Sequence, residues 1–106
     1  MSTDRFKDVD VITAVNVYFD GNVSSRTVEF SDGSQKTLGL MLPGEYEFGT
    51  DAAELMEIQS GALEVQLPGS DSWQAIAGGE SFNVPGNSRF TVRVSAITDY
   101  ICSFLK

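Results

Sequence analysis

The chain has no histidine and one cysteine, and only 7 of its 106 residues are Lys or Arg, against 15 Asp and Glu. Each shortage removes a class of function. Without imidazole there is no His general base, no Ser-His-Asp triad and no His-ligated zinc or iron. The lone Cys102 cannot close an internal disulfide. A formal charge of −8 supplies no basic footprint for nucleic-acid phosphates or anionic lipid, so nucleic acid and membrane are not expected partners. No apolar run approaches the roughly 20 residues that span a bilayer. The opening MSTDRFKDVD carries no signal-peptide stretch, and a cytoplasmic location is expected. Catalysis must rest on carboxylates, hydroxyls, Arg and Lys, backbone dipoles or the substrate's own groups.

What is present reads as one all-β domain. Hydrophobic residues make up 42% of the chain and charged residues 21%, a globular composition. At this length folding buries roughly 60 to 70% of the unfolded surface, enough for one core without staples. Period-two alternation recurs: Tyr46, Phe48 and Thr50 against Glu45 and Glu47, Leu63, Val65 and Leu67 against Glu64 and Gln66, Phe90, Val92 and Val94 against Thr91 and Arg93. Tyr100, Cys102 and Phe104 oppose Ile101, Ser103 and Leu105, which predicts a last strand covered on both sides. Cys102 reads as a small core residue, with Asp99 rather than a cation nearby. Seven turn pairs, from Asp20-Gly21 through Asp32-Gly33, Pro43-Gly44, Ser60-Gly61, Pro68-Gly69 and Gly78-Gly79 to Pro85-Gly86, imply about eight to ten strands. So many strands in one small domain predict a closed barrel or a double-sheet jelly roll. Only 51–57 (DAAELME) offers a short helix, and residues 1–10 read as a loosely attached arm before a domain over 11–106.

The stretch PGEYEFGTDAAELMEIQSG over 43–61, followed by LEVQLPG and GGESFNVPGNSRF, resembles the two conserved blocks of a cupin. Metal-binding cupins carry two histidines and a Glu in the first block and a third histidine after the second block's Pro. Registered on Gly61, Gly79 and Pro85, Glu54 takes the Glu position, while Phe48, Thr50 and Phe90 fall at or near the histidine positions. Two phenylalanines and a threonine cannot hold a divalent ion, so the resemblance implies a metal-free cupin-like β-barrel, or jelly roll, without a cofactor.

The resemblance narrows further. Asn16 to Gly21 (NVYFDG), Ser24 to Thr27 (SSRT), Thr37 to Thr50 (TLGLMLPGEYEFGT) and Trp73 are similar, in order and spacing, to the pyrimidine/purine nucleoside phosphorylase family over residues 16 to 104. That family implies phosphorolysis of purine and pyrimidine nucleosides by inorganic phosphate, giving free base and ribose 1-phosphate, in a homodimer. The reaction is feasible without histidine. Phosphate is the nucleophile, and a carboxylate can hold the sugar hydroxyls or steady an oxocarbenium-like transition state.

Under this resemblance Glu54 and Glu45 are the candidate catalytic carboxylates, and Tyr46, Thr50, Phe82 and Phe48 the candidate substrate contacts. Glu54 reads alternatively as a surface carboxylate in a short helix, and Tyr46, Phe48 and Phe82 as ordinary core. Glu45 points away from the barrel unless a bulge turns it inward. For phosphate the candidates are Arg26, Ser25, Ser24 and Arg89, combining hydroxyl donors with guanidinium groups able to grip an oxyanion. Arg89 is out of phase with Phe90, Val92 and Val94, which favours an outward position. Trp73 reads as a barrel cap or subunit contact. Two other readings share the pocket: a metal-free cupin that binds a small sugar or nucleotide without turnover, and a cupin sugar isomerase or epimerase. The latter needs a Glu, Tyr or Lys that moves protons near working pH.

Overall fold

In a computed structural model, described here for residues 4–105, the chain forms eleven strands and one single-turn 3-10 segment. In chain order these are β1 (Asp10–Val11), β2 (Asn16–Tyr18), the turn Phe19–Gly21, β3 (Val23–Glu29), β4 (Gln35–Met41), β5 (Gly44–Thr50), β6 (Ala53–Ser60), β7 (Ala62–Gln66), β8 (Gln74–Ala77), β9 (Ser81–Val84), β10 (Ser88–Val94) and β11 (Thr98–Leu105). All seven turn pairs expected from the sequence fall at connections between these elements.

The strands make two antiparallel sheets. One runs β1-β3-β4-β11-β6-β9 with β2 also paired to β3, and the other runs β5-β10-β7-β8. The sheets face each other as a jelly roll rather than closing into one hydrogen-bonded barrel. From β3 onward, alternation sends one side of each strand into the space between them. Val23 and Met41 from the larger sheet and Val65 and Val92 from the smaller are fully buried there, with Ile58 and Val84 close behind. Each such side chain contributes roughly 1.5 to 3 kcal/mol through the apolar area it removes from water.

Three details differ from expectation or refine it. The 51–57 stretch is not helical. From Ala53 it enters β6, hydrogen-bonded to β11 on one edge and β9 on the other, and two ladders outweigh the weak helix preference of Ala, Glu, Leu and Met. The N-terminal arm is tied down within its described part. Asp10 and Val11 pair with Glu29 and Val28, the Ile12 N–H donates to the Thr27 carbonyl at 2.9 Å, and the Phe6 ring meets Phe30 edge-on with centroids 5.2 Å apart. The last strand occupies the middle of the larger sheet, with Tyr100 and Cys102 buried on its inner side and Ser103 on its outer side.

Gly61 closes the tight β6–β7 turn at φ +100°, where a Cβ would sit 2.5 Å from the Ile97 carbonyl oxygen and 2.7 Å from the Thr98 Cα. Gly33 has a similar φ of +88° but open space around it. Gly61→Ala is therefore expected to cost about 2 kcal/mol or more in urea unfolding and Gly33→Ala only about 1 kcal/mol. Equal losses would show that the turn yields around an added methyl.

Candidate functional site

The register of the larger sheet decides what faces inward. Ser25 on β3 pairs with Gly39 on β4, and Gly39 pairs with Tyr100 on β11. One row along, Thr27 pairs with Thr37, Thr37 with Cys102, and Cys102 with Met56 on β6, while Phe104 pairs with Glu54. These rows give the sheet a hydroxyl-rich inner wall in an otherwise apolar interior. Opposite it, β5 and β10 present Phe48 and Phe90, stacked with centroids 5.5 Å apart and planes at 28°. Phe19 meets Phe48 edge-on at 5.5 Å.

Between the two walls lies a cavity of about 150 Å³, lined by Ser25, Thr37, Glu54, Tyr100 and Cys102 on the polar side and by Phe48 and Phe90 on the aromatic side. Tyr18, 47% exposed, and Phe104, 38% exposed, stand where it meets solvent. Among the described residues no Lys or Arg lines it. Among the described residues no group of three His, Cys, Asp or Glu side chains is placed to hold a metal ion.

Desolvation governs the ionisable groups here. Burial pushes the Glu54 carboxyl up from its ordinary value of 4.5, partly offset by its hydrogen bond with the Cys102 thiol. The Cys102 thiol is raised by burial and then by the Glu54 charge, with a hydrogen bond from Thr37 opposing. The Tyr100 phenol is raised by burial first, then by charge on Cys102 and Tyr18, with a hydrogen bond from Ser25 opposing. Each of these groups becomes negative on ionising, and no cation among the described residues lines the cavity to compensate.

Of the residues picked out from the sequence, Glu54, Phe48 and Ser25 border the cavity. Tyr46 and Thr50 share their inward strand face but spend their hydroxyls on the fold. Tyr46 Oη donates to the Leu42 carbonyl at 2.6 Å, and Thr50 Oγ1 donates to the Pro85 carbonyl at 2.7 Å while accepting from the Ser88 N–H at 3.1 Å. Phe82 is buried edge-on to Phe90, with centroids 6.1 Å apart, behind the cavity wall. The remaining four lie outside because their strand parity turns them outward. Glu45 accepts from Arg93 Nε at 2.9 Å, and Arg89 pairs with Glu47 at 3.2 Å. Arg26 donates to the Thr13 carbonyl, and Ser24 lies with Arg26 in a shallow outer groove. Trp73 carries the Arg93 guanidinium 3.7 Å above its ring.

Thr37, Tyr100 and Cys102 were not singled out as site residues by the sequence. The alternation of 100–104 was readable, but which of its faces looks into a cavity depends on pairing with β4 and β6.

The raised Glu54 pKa has a sign for stability. The folded chain keeps this proton to higher pH than the unfolded chain, so the buried carboxylate costs stability as pH rises through its folded value, and the cost vanishes below its unfolded value. Glu54→Gln, which cannot ionise, is expected to gain in urea midpoint over the wild type on going from about pH 4 to about pH 8. A difference between the two proteins that is independent of pH would show that the carboxylate is not desolvated.

The comparisons with known proteins agree with this architecture. The family model described as pyrimidine/purine nucleoside phosphorylase matches residues 13–104. A protein of that name from Sulfurovum sp. is 66% identical over 101 residues, covering 95% of this chain and 98% of the relative. Another from Hydrogenovibrio crunogenus is 59% identical, covering 95% and 97%. Among solved structures, a protein of unknown function from Acinetobacter sp. superposes with a TM-score of 0.92 at 42% identity, covering 95% of this chain and 98% of that one. An RmlC-like cupin from Shewanella frigidimarina superposes with a TM-score of 0.69 at 15% identity, covering 98% and 90%, which supports the cupin fold alone. The chain belongs to the pyrimidine/purine nucleoside phosphorylase family.

Proposed function

We propose that the chain carries out phosphorolysis of purine and pyrimidine nucleosides in the cavity between its two sheets. The observation that carries this reading is the pairing of an aromatic wall with a polar one across a single cavity inside a family member. The Phe48 and Phe90 faces suit a planar base of either kind, because stacking does not depend on the pattern of ring substituents. Glu54 takes the ribose 2′ and 3′ hydroxyls and, when ionised, steadies the positive charge that develops on the sugar. Phosphate then attacks C1′ on the face opposite the base. One phosphate oxygen forms the new C1′–O bond, and the C1′–N bond breaks with its electron pair leaving on the base. The hydrogen of HPO4 2− ends on that base, giving free base and ribose 1-phosphate. Enclosure by the two walls limits competing attack by water.

Purified chain incubated with uridine, adenosine or inosine is expected to release base only when phosphate is added, to remain active in EDTA, and to form a pentose 1-phosphate. Release without phosphate would indicate a hydrolase, and binding without release a non-catalytic cupin. Glu54→Gln is expected to lower kcat/KM by about 100-fold or more without loss of fold. Near wild-type turnover would remove Glu54 from the mechanism.

The same proposal includes a cytoplasmic homodimer. On the outer side of the larger sheet, Leu38 and Leu40 are 40% and 41% exposed and lie between two charges. Arg26 neighbours Leu38 across β3–β4, and Asp99 neighbours Leu40 across β4–β11, at diagonal corners of the patch. A two-fold axis between the leucines sets Arg26 of one protomer against the partner's Asp99 and buries the apolar pair. The wild type is expected to sediment at about twice the 11.5 kDa chain mass and Leu38→Glu at that of one chain. A wild-type monomer would contradict this assembly.

A further inference from the structure

A dianionic nucleophile has to enter a cavity lined by no cation among the described residues, on a chain whose net charge is −8. Neutral donors are what remain. They are not spread evenly along the polar wall. Gly39 lies between Ser25 and Tyr100 in the cross-strand row, and a Cβ there would overlap the Tyr100 ring. The missing side chain lets the phenol lie across β4 on the side of Ser25, which lines the same cavity. Tyr18 lines the same cavity and pairs with Val23, two residues from Ser25 along β3. Glu54 lies two rows along the same wall, across from Phe104 and beyond Cys102, where a carboxylate would repel phosphate.

The direction of the Ser25 hydroxyl is also set. Asn16 Nδ2 donates one hydrogen to Ser25 Oγ at 3.2 Å and the other to Thr27 Oγ1 at 3.1 Å. With that lone pair occupied from behind, Ser25 has its own O–H free to donate toward Tyr100 or an incoming anion. Burial keeps the Tyr100 phenol protonated through the neutral pH range, so it too remains a donor.

We propose that Tyr100 and Ser25, with Tyr18 at the rim, form a cation-free hydroxyl site for the attacking phosphate. The proposal rests on the phosphorylase reading and deepens it by naming the nucleophile's seat. Hydrogen bonds to a charged acceptor are the stronger kind, and several hydroxyls converging on one oxyanion can replace an ion pair without carrying charge into the interior. The seat lies on the wall opposite Phe48 and Phe90, so phosphate and base meet the sugar from opposite sides, as displacement at C1′ requires.

Phosphorolysis of uridine by the full chain, with phosphate and uridine varied separately, tests this. Tyr100→Phe and Ser25→Ala are each expected to raise the KM for phosphate about tenfold or more while leaving the KM for uridine within about twofold. Tyr100→Phe keeps the ring over Gly39, and a circular dichroism melt confirms that the fold is intact. A wild-type KM for phosphate in both variants overturns the proposal. So does a tenfold rise in Arg26→Ala or Arg89→Ala with none in Tyr100→Phe, which would seat the anion outside the cavity. Equilibrium dialysis of radiolabelled phosphate separates the two possible failures. If the wild type retains phosphate and Tyr100→Phe does not, the hydroxyl site stands even where uridine is never cleaved, and only the phosphorylase reading falls.

Discussion

The antiparallel ladder that holds β11 between β4 and β6 is the constraint on which the site depends. It sets Tyr100 beside Gly39, Cys102 beside Thr37 and Met56, and Phe104 beside Glu54. A one-residue slip would turn Tyr100 and Cys102 to the outer face and bring Ile101 and Ser103 inward, replacing much of the polar wall with different chemistry. The register is held by the apolar residues that share the inner face, above all Met41, Met56 and Ile58, whose burial would be lost with it. Core packing and site geometry are therefore one requirement in this molecule.

Among the described residues the ionisable groups facing the cavity are acids, and burial raises the pKa of Glu54, Cys102 and Tyr100. Glu54 apart, the polar wall is thus a set of O–H and S–H donors. The cations of the described chain do other work: Arg89 and Arg93 pair with Glu47 and Glu45 on the outer side of the smaller sheet, and the Lys36 ammonium lies 5.5 Å from the Phe6 ring centre. These exposed pairs contribute little to stability. The proposed reading seats a sugar and a planar base in this pocket and an anion where hydroxyls converge.

Much of the fold was legible in the sequence because its signals are local. Gly and Pro mark most of the turns, and alternation marks β5, β7, β10 and β11. Residues 51–57 misled because helix preference is a weak local signal, whereas two flanking ladders are a non-local one. Of the residues that line the cavity, Glu54 and Phe48 were legible from motif position and parity, and Ser25 only as one member of a hydroxyl cluster. Arg26 and Arg89 could not be placed at an anion by residue type, since parity sends both outward, where the Thr13 carbonyl and Glu47 engage them. Tyr100 and Thr37 stayed hidden because their role comes from a glycine on a neighbouring strand and from pairing across more than 60 residues of chain.

The account's central claim is that one cavity seats base, sugar and phosphate between two walls of opposite character. The most direct measurement is a crystal structure of the Glu54→Gln variant soaked with uridine and phosphate. The account predicts the uracil ring against Phe48 and Phe90, the ribose hydroxyls beside position 54, and phosphate oxygens within hydrogen-bond distance of Ser25 and Tyr100. Uridine or phosphate bound instead on the outer surface beside Arg26 or Arg89, with the cavity left to solvent, would contradict it.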